Sequence, residues 1–205
     1  MCYARLRGLL ENTPKNILEE CDRIFKEQEH LEIIEEAPYG SRHIIHYLPH
    51  KPVIRSEKVR PVFDGSAGKK GGHSLNDQLH AGPPLTKNLA GILLNFWLYP
   101  VGVSADIEKA FLQVGLDEAD CDAVRFLWVK DINKPPTKDN VKVYRFLRTP
   151  FGVNASPFLL NMVLLEHFGI GTNTWWKKIG RECFYVDNLV AVSYTHLTLP
   201  TIYSV

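Results

Sequence analysis

Two acids sit at the ends of apolar runs, where a carboxylate can face solvent. Asp106 closes Val101-Gly102-Val103-Ser104-Ala105. Asp187 follows Phe184-Tyr185-Val186 and precedes Asn188 and a second apolar run, Leu189-Val190-Ala191-Val192. Each has an ordinary explanation by itself. Asp106 suits the cap of a following helix, and Asp187-Asn188 suits a two-residue hairpin turn, because both residue types tolerate positive φ. Together they allow more. If their strands are neighbours in one sheet, the carboxylates face each other, and a divalent cation between them relieves the repulsion. Such a pair suits phosphoryl transfer with two ions about 4 Å apart.

Position 188 carries an amide, not a second acid. An amide oxygen ligates Mg²⁺ without contributing charge. A carboxylate about 4 Å from a unit charge is worth about 4 kcal/mol at an effective dielectric constant near 20. Two readings therefore stand. If Asp106 and Asp187 supply the bridging ligands, the missing charge is tolerated. If position 188 touches the ion directly, binding weakens and catalysis slows.

The elements that must position these residues follow from pattern. Thr13-Pro14 opens a helix in which Ile17, Leu18, Cys21, Ile24 and Phe25 recur at helical spacing. HIIHYL (43–48) and VRPVFD (59–64) are expected strands, joined as a hairpin across a loop containing RSEK (55–58). AGKKGGHSLNDQ (67–78) is a loop. A helix is expected over 85–98, closed by Pro100, then a short buried strand over 101–106. DAVRFLWV (122–129) and VKVYRFL (141–147) are strands, and TPFGVNASP (149–157) is a loop opening a helix at Ser156-Pro157. Residues 182–192 form a hairpin. Helices mixed with separated strands give an α+β fold.

The 205 residues suffice for one sizeable core, or for one domain with part of another. Hydrophobic residues at 45% and charged residues at 23% exclude a disordered chain. Lys+Arg 24 against Asp+Glu 23 gives a net charge of +1, so charge alone announces no polyanion partner, although a local basic groove is compatible with it. Cys2, Cys21, Cys121 and Cys183 are widely and unevenly spaced, which suits reduced thiols in an intracellular protein better than zinc or disulfides. No signal peptide opens the chain and no segment suits a membrane span, since the apolar region 89–103 is broken by Asn95 and Pro100. His43, His46 and His50 lie close in sequence, but on a strand 43 and 46 point to opposite faces. Lys69-Lys70 beside Gly71-Gly72 lacks the spacing of a phosphate loop. Trp175-Trp176-Lys177-Lys178 suits either nucleic-acid stacking or partial burial.

Four segments, in order, resemble the motifs of reverse transcriptases. VRPVFDGSA resembles the fingers segment, SADIEKAFLQV motif A, TPFGVNASPF motif B, and FYVDNLV the Y-x-D-D hairpin of motif C. Within that class, YLPHKPVIRSEKVRPVFDGSA, SLNDQL, GPPL and SADIEKAFLQVGLDEADCDAVRFLW are most similar to BEL/Pao-type retrotransposon polymerases. The similarity runs from about His46 to about Val192, and four ordered motifs are far more specific than any one.

The resemblance implies a fingers and palm architecture, with an N-terminal helical segment over 1–42, fingers over 43–100, and palm over 101–192. It implies RNA-directed DNA polymerase activity with Mg²⁺, or Mn²⁺ in its place. Asp106 and Asp187 match the metal-binding acids, Ile107 a backbone-carbonyl ligand, and Asn188 the replaced second acid of motif C. Phe111 matches the aromatic gate that crowds a ribose 2′-OH. Arg60 matches the arginine that clamps the triphosphate, while Arg55 stands where relatives carry Lys. Phe151 and Gly152 match the point where motif B meets the nucleotide. The implied partners are a dNTP, an RNA or DNA template with primer, and the remainder of a retrotransposon polyprotein. The implied location is cytoplasmic, in virus-like particles. The stretch 193–205 does not resemble the family and is expected to be non-native. With no thumb after motif C, weak nucleic-acid binding and exposed palm core are expected. Two rivals remain in view: an inactive remnant that at most binds nucleic acid, and a structural α+β domain.

Overall fold

The apolar spacing of residues 15–30 makes helix α2 (Lys15–His30), which buries Leu18, Cys21 and Phe25. It follows helix α1 (Cys2–Asn12), which buries Leu6. The computed structural model describes residues 2–40, 44–68, 71–169, 179 and 182–193. The described chain divides into two units, one comprising residues 1–82 and 111–156, the other 83–110 and 157–205. The chain thus leaves the first unit, returns to it, and leaves again. Helices and small antiparallel sheets together make the fold α+β.

In the first unit, strands β1 (Ile34–Glu36), β5 (Arg125–Val129) and β6 (Val141–Phe146) form a sheet in the order β1-β6-β5. Phe126 and Trp128 point into a core shared with Phe25, Leu48, Phe63 and Phe146. Phe126 is 0% exposed, and removing such a ring costs about 3–5 kcal/mol. Beside this core lies a buried ion network. Asp122 pairs with Arg125 at 2.7 Å and Arg145 at 3.4 Å, and Arg145 also pairs with Glu35 and Glu118. Each buried charge therefore has an opposite charge beside it, without which burial would be prohibitive.

The first unit also holds the hairpin of β2 (His50–Arg55) and β3 (Lys58–Phe63). Its first strand is not HIIHYL, as expected, but the segment that follows it. Ser56 and Glu57 both take positive φ, at 48° and 64°, which makes a tight two-residue turn and sets the register from Arg55↔Lys58 to His50↔Phe63. Residues 44–48 run beside β5 instead and make one isolated bridge, Tyr47↔Arg125. Within the expected loop 67–78, Leu75–Gln78 forms a short helix, α3, closed by a reciprocal cap between Ser74 and Asp77. Residues Glu118–Cys121 form a similar short helix, α5.

The second unit contains α4 (Leu89–Trp97), β4 (Val101–Asp106), α6 (Ser156–Gly169, from Pro157), β7 (Phe184–Tyr185) and β8 (Asn188–Ser193). Helix α4 begins later than expected because the Asn88 side chain accepts the Ala90 N–H at 2.9 Å and caps it there. The sheet order is β4-β8-β7, all antiparallel. Strand β4 is not buried, as its sequence suggested: half-buried Val101 and Val103 alternate with exposed residues. The Phe96 ring of α4 fills the space over Gly102, while Leu94, Trp97 and Leu98 are exposed. Among the described residues no helix is long and apolar enough to cross a membrane.

Candidate functional site

Strands β4 and β8 pair from Val101↔Ser193 to Asp106↔Asn188. Asp106 is therefore the last residue of its strand, opposite the first residue of β8. Asp187 immediately precedes that position, and its carbonyl accepts the Ile107 N–H at 3.1 Å. Paired Cα atoms are about 5 Å apart and consecutive ones 3.8 Å, so Asp106 and Asp187 lie within about 10 Å. The two acids, 81 positions apart by number (187 − 106), meet at one sheet end.

The hairpin turn differs from the expected Asp187-Asn188. Tyr185 pairs with Asn188, which leaves Val186-Asp187 as the turn. Val186 takes φ 59°, a conformation that costs a residue with a side chain about 1–2 kcal/mol. The consequence is that Asn188 belongs to the central strand and has Asp106 on one side and Tyr185 on the other. Directly opposed residues share a face of a sheet, so Tyr185, Asn188 and Asp106 form one row. Tyr185 carried no role in the sequence reading.

Asp106 and Asn188 are exposed and Asp187 is half-buried. The Asn188 Nδ2 donates to Asp187 Oδ1 at 3.1 Å. Neither carboxylate has an ion-pair partner among the described residues. No group of three or more His, Cys, Asp or Glu forms a metal cluster among the described residues. The available ligands are two carboxylates, the Asn188 amide oxygen and backbone carbonyls such as that of Ile107. This all-oxygen set fits a hard cation such as Mg²⁺ and does not fit zinc or copper.

The candidate nucleotide-contact residues lie in the first unit. On the β2-β3 hairpin, Arg55 opposes Lys58, Val53 opposes Arg60, and Lys51 opposes Val62. Alternation puts all six side chains on one face. Lys51, Arg55, Lys58 and Arg60 are exposed and unpaired among the described residues, so they make a cationic strip. Lys51 and Lys58 were not singled out in sequence. The signal was present in the period of KPVIRSEKVR, but it is readable only once the Ser56-Glu57 turn fixes which residues oppose each other.

Phe111 and Phe151 meet edge to face, with ring centroids 4.7 Å apart. Phe111 is half-buried and Phe151 is 45% exposed. Next to Phe151, Gly152 has φ 92°, and a Cβ there would lie 2.1 Å from the Phe63 carbonyl oxygen. Only glycine lets the loop pass so close to the end of β3.

No described histidine belongs to a metal-ligand cluster. His50 lies among the rings of Phe25, Phe63, Phe126 and Trp128, at 5.3–5.7 Å between centroids. Its Nε2 is buried with no hydrogen-bond partner, and burial pushes its pKa down to about 4. His43, Lys69-Lys70 and Trp175 to Lys178 lie outside the described residues. All four cysteines are free, with Cys21 and Cys121 buried.

No protein-family model matches the sequence, and no curated protein matches it. Solved structures do. The selenomethionine-labelled CSH mutant of the prototype foamy virus protease-reverse transcriptase aligns over 89% of this chain with a TM-score of 0.63 and 16% identity. The native form of that protein aligns over the same 89% with a TM-score of 0.62 and 14% identity. The chain has a reverse-transcriptase-like fold. It spans 20% of the foamy virus chain.

Proposed function

We propose that this chain is a fingers-and-palm segment of an RNA-directed DNA polymerase, of the BEL/Pao retrotransposon type. The observation that carries the proposal is the β4-β8 register, which brings Asp106 beside the turn that holds Asp187. The reaction is attack of a primer 3′-OH on the α-phosphate of a dNTP, with release of pyrophosphate. Asp106 and Asp187 hold Mg²⁺ or Mn²⁺, with the Ile107 carbonyl and the Asn188 amide as further oxygen donors. When bound, the metal supplies Lewis-acid stabilisation of charge on the reacting oxygens. Arg60 and Arg55 hold the triphosphate by charge-assisted hydrogen bonds. Phe111, which meets Phe151 edge to face, limits space at the ribose 2′ position. Gly152 lets backbone approach the base. Template and primer are the nucleic-acid partners, within a polyprotein made in the cytoplasm and packaged in particles.

A second reading has its own support. The Asn188 amide donates to Asp187 and brings no charge of its own, which favours an inactive remnant. Primer extension with Mg²⁺ and with Mn²⁺, by this chain and by Asn188→Asp, separates the two. Extension that disappears in Asp106→Asn supports the polymerase. No extension by either form assigns the chain to the remnant.

A further inference from the structure

We infer that Asn76 is a positioning residue that holds the Phe151-Gly152 loop in the shape that receives a nucleotide. This rests on the polymerase reading above. The observation is a knot of hydrogen bonds around one side chain. Asn76 Oδ1 accepts the Asn154 backbone N–H at 2.9 Å. Asn76 Nδ2 donates to Ser66 Oγ at 2.8 Å and to the Gly152 carbonyl at 3.2 Å. Its main chain takes part as well: the Asn76 N–H donates to the Gly65 carbonyl at 2.9 Å, and the Asn76 carbonyl accepts from Asn154 Nδ2 at 2.8 Å. Three segments distant in sequence, 65–66, 76 and 152–154, are thus tied at one point.

The junction leaves no slack. Gly65 donates to the Gly152 carbonyl at 3.2 Å, and a Cβ on Gly65 would lie 2.5 Å from that same oxygen. The Gly152 carbonyl therefore receives two donors, one from the backbone and one from Asn76. An amide is the side chain this place requires, because it must accept on one side and donate on the other. A carboxylate would face the Gly152 carbonyl with no proton to offer, and an apolar residue would take this partner from the Asn154 N–H and Ser66 Oγ and leave the Gly152 carbonyl only its Gly65 donor. The clamp acts on Gly152 and on Asn154, so it fixes the path of the chain as it leaves Phe151. Asn76 itself need not touch the nucleotide. Asn76 sits in the short helix capped by Ser74 and Asp77, but its own bonds to residues 65–66 and 152–154, not that cap, tie it to the loop.

The test compares Asn76→Ala, Asn76→Asp and the control Asp77→Ala in the full chain. The control weakens the same short helix but removes none of the Asn76 bonds. Single-nucleotide primer extension gives KM for dNTP and kcat, and hydrogen exchange reports the Asn154 amide. The expected result is about a tenfold rise in KM for Asn76→Ala, with kcat within about twofold. A smaller rise is expected for Asn76→Asp, which keeps the acceptor. Asp77→Ala leaves KM near that of wild type. The Asn154 amide exchanges at least about tenfold faster in Asn76→Ala and not in Asp77→Ala. An active wild type whose KM is unmoved by Asn76→Ala, or moved equally by Asp77→Ala, overturns this inference and leaves the polymerase reading standing. Unchanged exchange at Asn154 overturns the clamp whatever the activity. A wild type that neither binds nor incorporates dNTP overturns the polymerase reading and the nucleotide role of Asn76 together.

Discussion

Asp106 stands opposite Asn188 in the β4-β8 ladder, and the chain enters that position from Asp187, whose carbonyl is bonded to the Ile107 N–H. An amide therefore stands directly across from Asp106. A negative charge placed there would act on any cation at this sheet end.

Asn188→Asp is expected to tighten divalent-cation binding about tenfold. At an exposed position a unit charge about 4 Å from a divalent ion contributes about 2 kcal/mol in water, part of which offsets repulsion from Asp106 and Asp187. Calorimetric titration with Mg²⁺ checks this. Without metal, the same variant should be slightly less stable than wild type, because three carboxylates then crowd one place.

Val186→Asn is expected to stabilise the chain by about 1 kcal/mol. Val186 holds φ 59°, and asparagine adopts that conformation more readily than a β-branched residue. Urea unfolding reads the gain. An unchanged midpoint would show that the turn imposes no strain.

Gly152→Ala is expected to cost more than about 2 kcal/mol, because the new methyl meets the Phe63 carbonyl oxygen and the backbone is in the left-handed region. Its unfolding midpoint should fall well below that of an alanine placed at Gly71, which has similar φ and open space around it.

Stability should depend on pH through His50. Its folded pKa, about 4, lies below the ordinary value near 6.5, so between those values the unfolded chain binds the proton and the folded chain does not. The contribution is complete above about pH 6.5 and is lost as pH falls toward 4, amounting to about 3 kcal/mol. The difference in unfolding free energy between wild type and His50→Phe, followed over that range, should carry this slope.

The elements around the acids were legible because their signals are local. The strand end at Asp106, the loop before Ser156-Pro157 and the hairpin around Asp187 each carry pattern and punctuation of their own. What escaped depended on pairing. The turn is Val186-Asp187, not Asp187-Asn188, because Tyr185↔Asn188 pairing outweighs the poor turn propensity of valine. HIIHYL has strand composition, yet the hairpin partner of β3 is 50–55, since the Ser56-Glu57 turn fixes the register. The cationic strip of Lys51, Arg55, Lys58 and Arg60 exists only through that register. The Asn76 knot joins residues 76 and 154, and no local pattern announces such a contact.

The most direct measurement is a Mn²⁺ titration of the chain followed by electron paramagnetic resonance, in wild type, Asp106→Asn, Asp187→Asn and Asn188→Asp. The expected result is saturable binding by wild type, competed by Mg²⁺, lost in either Asp→Asn variant and strengthened in Asn188→Asp. Equal binding by wild type and both Asp→Asn variants, or no binding by wild type and Asn188→Asp alike, would contradict a metal site at Asp106 and Asp187.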